Sequence, residues 1–204
     1  MAQKTPTLKD VRLVSSGWVN KYVLEYTKPD GSPYEYECVS RKGPEDFRTA
    51  LEARAAGRPA KPDAACIVPQ TRDDELLLIR EFRYPLNSWC IAFPAGLVDP
   101  GEDLLECVDR ELREETGYAL RADLGEAAAS PLPQVGYSSN GLTDECVYIV
   151  FAQVEKVAEA HPEPSELIEP FLLPIKDVPR FLEENTLPMG TRAQLVLETF
   201  ARRH

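Results

Sequence analysis

The stretch from residue 96 to residue 118 constrains the fold more than any other part of the chain. Glycines, glutamates and one arginine occupy fixed positions in it, namely Gly96, Glu102, Arg110, Glu111, Glu114, Glu115 and Gly117. Among them, bulky apolar residues recur at helical spacing, at Leu104, Leu105, Val108 and Leu112. This apolar stripe predicts a helix with one face buried in a protein core.

Both ends of the predicted helix carry sequence signals. Asp103 can cap the N-terminus, and Glu106 three residues later completes the pattern of a capping box. Gly117 suits the left-handed conformation that often follows the last turn of a helix. These signals place the helix between Asp103 and Gly117.

Three glutamates crowd the C-terminal half of this helix. Glu111 and Glu115 are four residues apart and share a face, with Glu114 beside them and Arg110 within reach of Glu114. Carboxylates so close repel one another, and the helix dipole disfavours anions near this end. A divalent cation would remove the conflict, and ligands that are all oxygen suit Mg²⁺ or Mn²⁺ rather than zinc. The alternative is an ordinary solvated acidic face.

Composition narrows the choice of partners and compartment. The net charge of −11 argues against nucleic acid as the main partner, although local arginines and a metal ion can still bind a phosphate. No apolar run is long enough to span a membrane, and the N-terminus lacks the apolar region of a secretory signal. The five scattered cysteines form no Cys-x-x-Cys motif, which argues against zinc and fits reduced thiols in a cytoplasm.

The chain length of 204 residues suits one domain with an attached subdomain. Residues 1–60 are expected to form a β-rich N-terminal subdomain and linker. Its predicted elements are a loose tail over residues 1–10, a strand from Val11, and strands at Trp18–Tyr26 and Tyr34–Val39 around a turn at Lys28–Ser32. Within Gly43–Pro62 the candidate element is a helix from Pro44 to about Ala56, and a mobile loop is the alternative.

Residues 61–204 alternate between strand and helix patterns. Strands are predicted at Ala64–Pro69, Glu75–Phe82, Trp89–Phe93, Cys146–Val154 and Glu169–Pro174. Helices are predicted at Lys176–Glu184 and Thr191–Arg203, in addition to the helix before Gly117. Ala119–Ala129 is a strand or a loop, and loops are predicted at Ser130–Asp144 and Ala158–Ser165. This order predicts an α/β fold, with a mixed sheet between helices.

The fixed positions, written as G-x5-E-x7-R-E-U-x-E-E-x-G-U with U a bulky apolar residue, resemble the Nudix box. Every defined position matches this signature of the Nudix hydrolases. The resemblance implies a Nudix α/β/α sandwich over residues 61–204. It also implies hydrolysis of the diphosphate bond in a nucleoside diphosphate linked to a group X, with Mg²⁺, or Mn²⁺ as the alternative, as cofactor.

The residues before the box are similar to those of the ADP-ribose and nucleotide-sugar pyrophosphatases. A strand that ends at Arg83 is followed by a Pro94-Ala95-Gly96 turn, as in that branch. The resemblance implies a small-molecule nucleotide substrate, ADP-ribose or an ADP-sugar, and a homodimer formed through the N-terminal subdomain. One position departs from the branch, because Ala92 replaces its usual glutamate and removes one metal or substrate contact.

The same resemblance assigns roles to individual residues. The implied main metal ligands are Glu111 and Glu115, and the carbonyl oxygen of Ala95 is the implied backbone ligand. Glu114 is implied as a third ligand, either direct or through a water molecule. The implied structural residues of the motif are Gly96, Glu102, Arg110 and Gly117. The implied phosphate contacts are Arg83 and, as the weaker candidate, Arg80. A simple surface ion pair is the alternative for Arg83.

The general base of such a reaction must be a carboxylate, because the chain has no histidine near the box. The resemblance places it in the acidic loop after the long core strand. The candidates there are Glu159, Glu163, Glu166 and Glu169. We favour Glu166, with Glu163 next, and the alternative is that all four are solvated loop charges.

Two other functions remain open from sequence. The same chemistry could act on a GDP-sugar or UDP-sugar, a dinucleoside polyphosphate or a nucleoside triphosphate. A protein of another class, a Nudix module that senses ADP-ribose-like ligands without cleaving them, would not need the complete set of box glutamates. The sequence does not specify the base, the group X or the physiological role.

Overall fold

A computed structural model describes residues 5–202 of the chain. The strands are β1 Thr7–Ser15, β2 Asn20–Thr27, β3 Pro33–Ser40, β4 Ala64–Gln70, β5 Glu75–Arg83, β6 Ser88–Ala92, β7 Ala95–Leu97, β8 Tyr118–Leu120, β9 Ala129–Pro131, β10 Gly136–Tyr137, β11 Cys146–Lys156 and β12 Ile168–Pro174. The helices are α1 Pro44–Ala55, α2 Leu104–Thr116, α3 Val178–Glu184 and α4 Thr191–Ala201. No helix within residues 5–202 is both long and apolar enough to cross a membrane.

The chain folds into two compact units. The first contains Met1–Asp63 and Val135–Val147, and the second contains Ala64–Gln134 and Tyr148–His204. The segment Val135–Val147 thus groups with the N-terminal region although it is distant in sequence. The roles predicted for residues 1–60 and 61–204 as functional domains stay predictions.

The first unit is built on an antiparallel sheet in the order β1-β2-β3. The predicted β2–β3 hairpin is confirmed, and Gly31 in its turn has φ +86°. The prediction of a loose tail through residue 10 is wrong for its last residues, because β1 starts at Thr7 and pairs with Thr27. Residues 1–4 of that predicted tail lie outside the described residues.

Helix α1 packs on this small sheet, and its bounds confirm the predicted helix rather than a mobile loop. Pro44 occupies its first turn, where a missing N–H costs no hydrogen bond. Phe47 of α1 is buried, and its ring centroid lies 4.8 Å from that of Tyr22 on β2. This contact joins the helix to the core of the first unit.

The second unit contains a sheet with helices on both faces. Strand β5 pairs antiparallel with β4, β6 and β12. Strand β7 pairs with β4, and two other short strands, β8 and β9, pair with β11. The predicted α/β class with a mixed sheet is confirmed.

The bounds of the predicted strands and helices agree with the structure to within a few residues. The predicted loop Ser130–Asp144 is wrong in part, because it contains most of β9 and all of β10. Helix α4 ends at Ala201, and Arg203 of the predicted helix lies outside the described residues.

Alternation along the central strands builds a separate core on each face. One cluster contains Leu76 and Leu78 of β5 together with Val178 of α3 and Leu197 of α4. The other contains Leu77 of β5 together with residues of α2. Odd-numbered residues of β5 therefore face α2, and even-numbered residues face α3 and α4.

Candidate active site

Helix α2 begins at a complete capping box, which confirms the predicted start. The Asp103 carboxylate accepts from the N–H groups of Leu105 at 2.8 Å and Glu106 at 2.9 Å, and Glu106 accepts from the Asp103 N–H at 3.0 Å. Gly117 follows the helix in the left-handed conformation, with φ +72°. These caps fix the start and end of α2, and with them the direction in which its glutamates point.

The glutamates on this helix differ in burial. Leu112 is fully buried in the core, and Glu111 and Glu115 on the adjoining face are only 9% and 4% exposed. The Glu114 side chain remains 46% exposed. The alternative of a solvated acidic face is therefore wrong for Glu111 and Glu115, because both side chains are buried.

Strand β7 lies directly against these carboxylates. A Cβ atom on Gly96 would sit 1.8 Å from a carboxylate oxygen of Glu111, so only glycine allows this approach. The Ala95 N–H donates to the Glu115 carboxylate at 3.1 Å. The turn that ends in Gly96 thus closes one side of the carboxylate pair, and the ligand role of the Ala95 carbonyl stays a prediction.

Arg110 ties the loop before α2 to the helix. Its guanidinium donates to both carboxylate oxygens of Glu102, at 2.8 and 2.9 Å, and to the Leu97 carbonyl at 3.0 Å. It also donates to Glu111 at 2.7 Å and to Glu114 at 3.2 Å. The hydrogen bond from Arg110 lowers the pKa of Glu102 to about 2. These contacts support the structural roles proposed for Glu102 and Arg110.

The buried carboxylates have strongly perturbed titration. Burial raises the pKa of Glu115 well above its usual value, and the charges of Glu111, Glu166 and Glu81 raise it further. The hydrogen bond from the Ala95 N–H lowers this pKa and so opposes the shift. Burial also raises the pKa of Glu111, which the contact with Arg110 opposes. The second unit therefore concentrates anionic groups where solvent screens them little.

The two arginines predicted from β5 lie on opposite faces of the sheet. Arg83 shares the α2 face with Glu81, and their side chains form an ion pair at 2.7 Å. Arg80 points to the other face, where it pairs with Glu169 of β12. The structure thus brings Arg83, but not Arg80, to the side of the sheet that carries the carboxylates.

Glu81 is an acid close to the candidate site that the sequence analysis did not name. Its side chain is 13% exposed, and its charge contributes to the raised pKa of Glu115. A signal was present, because residues two apart on a strand share a face and Arg83 was already a candidate. Strand alternation from Arg83 would have identified Glu81.

The loop after β11 is fastened to the C-terminal end of α2. The N–H groups of Val157 and Ala158 both donate to the Gly117 carbonyl at 3.0 Å, and the His161 N–H donates to the Glu114 carbonyl at 2.8 Å. A Cβ on Gly117 would lie 2.2 Å from the Ala158 carbonyl oxygen. Gly117 therefore serves two needs, a left-handed turn and a close approach of this loop.

Of the two favoured loop acids, Glu166 is the better placed. It is half-buried, whereas Glu163 is exposed. Its charge contributes to the raised pKa values of Glu111 and Glu115. The Glu166 carboxylate accepts from the Glu163 N–H at 3.2 Å, and the Glu166 N–H donates to the Glu163 carbonyl at 2.8 Å. This turn holds the Glu166 carboxylate, whose charge acts on the α2 carboxylates.

The donor set has the chemistry that a hard divalent cation requires. The carboxylates are oxygen ligands, mutually repelling and poorly solvated, as Mg²⁺ sites need. Within residues 5–202, however, no three Asp, Glu, His or Cys side chains converge as a metal-binding group. Glu111 is held by Arg110 and Glu115 by the Ala95 N–H. Cation binding would require these two side chains to turn toward a common point.

Comparison with known proteins identifies the arrangement. Residues 60–192, more than half of the chain, match the family model described as the NUDIX domain. The ADP-ribose pyrophosphatase of Saccharomyces cerevisiae is 33% identical over 154 residues, which cover 74% of this chain and 59% of the yeast protein. The ADP-ribose pyrophosphatase of Bacillus subtilis is 29% identical over 179 residues, covering 87% of this chain and 82% of that protein.

A solved structure confirms the fold. The chain superposes on the crystal structure of an ADP compounds hydrolase with a TM-score of 0.72, over 100% of this chain and 95% of the other. The two sequences are 23% identical, so the likeness concerns the fold alone. The chain spans less than two thirds of the length of the yeast relative.

Proposed function

The chain belongs to the NUDIX family, and from this premise we propose that it hydrolyses the diphosphate bond of an ADP-X compound. The preferred substrate is ADP-ribose or an ADP-sugar, and the products are AMP and phosphorylated X. The observation that carries the proposal is the burial of Glu111 and Glu115 side by side on α2. The names of the yeast and Bacillus relatives support the choice of ADP-ribose.

The proposed cofactor is Mg²⁺, with Mn²⁺ as a substitute. The residues that would hold it are Glu111, Glu115, Glu114 and the carbonyl oxygen of Ala95. When bound, such an ion neutralises the diphosphate and lowers the pKa of a coordinated water. It would also remove the electrostatic cost of two buried carboxylates, which a purely structural helix would not carry.

Arg83 is proposed to bind the diphosphate. It is half-exposed on the face of β5 that α2 covers, and its contact with Glu81 uses one terminal nitrogen. A guanidinium has further donors, which can accommodate phosphate oxygens in a forked geometry. Arg80 is the weaker candidate because it lies on the opposite face beside Glu169.

Glu166 is proposed as the general base that takes the proton from the attacking water. It is held by a turn with Glu163, and the loop that leads to this turn is bonded to the end of α2. A loop position would let the acid approach when substrate is bound and would help to exclude bulk water. Glu163 is the second candidate.

A homodimer formed through the N-terminal segment is proposed as the working assembly. The first unit exposes large apolar side chains along residues 11–40, at Leu13, Val14, Trp18, Val19, Tyr34 and Tyr36. Exposed apolar surface of this kind often marks a protein interface. We expect light scattering at micromolar concentration to give the mass of a dimer, and a monomer would contradict this proposal.

A cytoplasmic location is proposed from the state of the thiols. The five cysteines are buried and free of disulfide bonds. Burial raises the pKa of Cys107 to about 12 and that of Cys38 to about 11, so these thiols are poorly reactive. Free thiols in this number are typical of a reducing compartment.

The substrate is tested by a panel of nucleotides with Mg²⁺. Phosphate is measured after phosphatase treatment for the nucleoside diphosphate-X compounds, and after pyrophosphatase treatment for the nucleoside triphosphates. We expect ADP-ribose or an ADP-sugar to give the highest kcat/KM. GDP-sugars, UDP-sugars and nucleoside triphosphates are included in the panel because Ala92 stands where the branch has a glutamate, and the contact of that glutamate is missing. A tenfold preference for one of these, about 1.4 kcal/mol in transition-state stabilisation, would overturn the assignment. Binding of ADP-ribose without turnover would indicate a sensing module.

A further inference from the structure

The first unit contains a cavity lined mainly by aromatic and other apolar side chains. Its volume is about 420 Å³, and all of its lining residues belong to this unit. The aromatic part of the wall includes Tyr26, Tyr34, Tyr36 and Tyr137. Tyr34 and Tyr36 remain 47% and 37% exposed, and their ring centroids lie 6.4 Å apart. The cavity therefore presents uncovered aromatic surface.

A guanidinium in the cavity wall is held firmly but is not fully bonded. Arg54 of α1 donates to the Tyr137 hydroxyl and to the carboxylate and carbonyl oxygens of Asp144, all at 3.2 Å. Its Nη1 atom is buried and has no hydrogen-bond partner within residues 5–202. The guanidinium also lies 5.5 Å from the centroid of the Tyr137 ring. Aromatic rings are favourable neighbours of such a cation, and tryptophan is the best of them.

The apolar face of the β1-β2-β3 sheet is covered at one end and exposed at the other. Tyr22 of β2 is fully buried and packs against Phe47 of α1. Further along β2, Tyr26 is opposite Tyr34 of β3, and both line the cavity. Beside Tyr34 the face has room for a further apolar group.

The connection between β1 and β2 carries such a group. Trp18 is 80% exposed, more than any other large apolar residue that the structure describes. Leu13, Val14 and Val19, which are near it in sequence, are 40%, 48% and 45% exposed. We call these four residues the apolar tip. Exposed apolar residues grouped in this way often mark a protein interface.

The apolar tip cannot fill the cavity of its own subunit. Strand β2 begins at Asn20, just after the tip, and reaches the exposed end of the cavity at Tyr26. The rise from Asn20 to Tyr26 is roughly 20 Å, at about 3.3 Å per residue. The tip and the exposed tyrosines thus lie at opposite ends of one sheet, and a contact between them requires two subunits.

We propose that Trp18 of the partner subunit fills the cavity beside Tyr34, and that the two subunits exchange this contact reciprocally. The inference rests on the homodimer proposed above and names the contact that anchors it. In an interface with twofold symmetry, a contact of residue i with residue j is repeated as a contact of j with i. Two sheets that run antiparallel across the twofold axis bring each tip to the cavity of the other subunit.

The chemistry of the two surfaces fits this contact. An indole ring buries roughly 150–250 Å², and it pairs well with other aromatic rings. Tryptophans that fill pockets are typical energetic hot spots of protein interfaces. A stable interface buries roughly 1,200–2,000 Å² in total, so Trp18 would anchor a larger contact. Leu13, Val14 and Val19 are the tip residues that extend it.

The fluorescence of Trp18 tests whether this side chain is covered in the dimer. The chain has two tryptophans, Trp18 and Trp89, so Trp89→Phe leaves a single indole to observe. Sedimentation velocity of this full-length variant gives the fraction of dimer at each concentration. We expect acrylamide to quench Trp18 in the dimer several-fold less than it quenches N-acetyltryptophanamide, and the emission to lie at shorter wavelength.

Dimer affinity tests whether the cavity is the place where Trp18 binds. Trp18→Ser should raise the dimer Kd roughly 30-fold or more, the scale of an interface hot spot, and Trp18→Phe should raise it less. Tyr34→Ser should also raise the Kd. The double variant Trp18→Ser with Tyr34→Ser should lose little more than Trp18→Ser alone, because both changes remove one contact. Circular dichroism of each variant should match wild type.

Leu195→Ser is the matched control for these changes. Leu195 is a 65% exposed apolar residue of α4 in the second unit, and its removal should leave the dimer Kd unchanged. This variant separates the loss of a specific contact from the general effect of removing exposed apolar surface.

Three results would overturn the inference and leave a homodimer standing. The first is a dimer in which Trp18 is quenched as strongly as N-acetyltryptophanamide, which would leave the cavity to another occupant. The second is a Kd of Trp18→Ser within twofold of wild type. The third is a double variant whose loss equals the sum of the single losses, which would place Trp18 away from Tyr34. If wild type is a monomer at micromolar concentration, the homodimer and this contact are both wrong.

Discussion

Glu115→Gln is expected to keep the fold and to reduce kcat by about a hundredfold or more. This is the scale of loss when a charge that holds a catalytic metal is removed. Glutamine has nearly the same shape and keeps an oxygen for the Ala95 N–H, which donates to Glu115 at 3.1 Å. The loss should therefore be one of function and not of structure.

The same variant should separate activity from stability. The pKa of Glu115 is raised in the folded protein, so the folded state binds its proton more tightly than the unfolded state. The contribution of this group to the free energy of unfolding is then greatest at pH values below its usual pKa of 4.5. It is lost as the pH rises through the raised pKa of the folded state. Without metal, Glu115→Gln should be at least as stable as wild type at pH 7.

Thermal unfolding between pH 4.5 and pH 8, with and without Mg²⁺, measures this effect. Mg²⁺ should raise the Tm of wild type by binding only the folded state, and it should raise that of Glu115→Gln much less. Near-normal turnover by the variant with Mg²⁺ would contradict the metal site. A large loss of Tm would show that Glu115 serves the fold.

Glu166→Gln is expected to lower kcat by about 10²–10⁴-fold, the usual contribution of a general base. KM should stay within a few-fold of wild type, because the substrate contacts proposed here do not include Glu166. Glutamine retains an acceptor for the Glu163 N–H, so the turn between these residues should survive.

Glu163→Gln is the matched control for this variant. It changes an exposed acid of the same turn by the same chemical step, and it should leave kcat close to wild type. The opposite ranking would make Glu163 the base. If both variants retain wild-type kcat, the base lies elsewhere, and either Glu114 or a metal-bound hydroxide without a separate base becomes the better account.

Local signals predicted the framework of the site. The capping box at Asp103, the apolar stripe and Gly117 together determined where α2 begins, ends and packs. The turn at Gly31 and the helix from Pro44 were predicted for the same reason. Each of these features depends on neighbours within a few residues, so a single sequence contains the information.

Long-range pairing was harder to predict. The start of β1 at Thr7 depends on its partner strand, and the grouping of Val135–Val147 with the first unit depends on contacts distant in sequence. The position of Glu81 opposite Cys90 depends on the register of β5 and β6. The deep burial of Glu115 could not be predicted without knowing how α2 packs, because charged residues are usually exposed.

Release of AMP from ADP-ribose by the purified full-length protein tests the proposed activity most directly. Chromatography should show AMP and ribose phosphate in equal amounts with Mg²⁺, neither product after chelation of the metal, and both again when Mg²⁺ is restored. AMP release that continues unchanged in the presence of chelator, or ADP-ribose that stays intact with Mg²⁺ at pH 7 to 8, would contradict a metal-dependent ADP-ribose hydrolase.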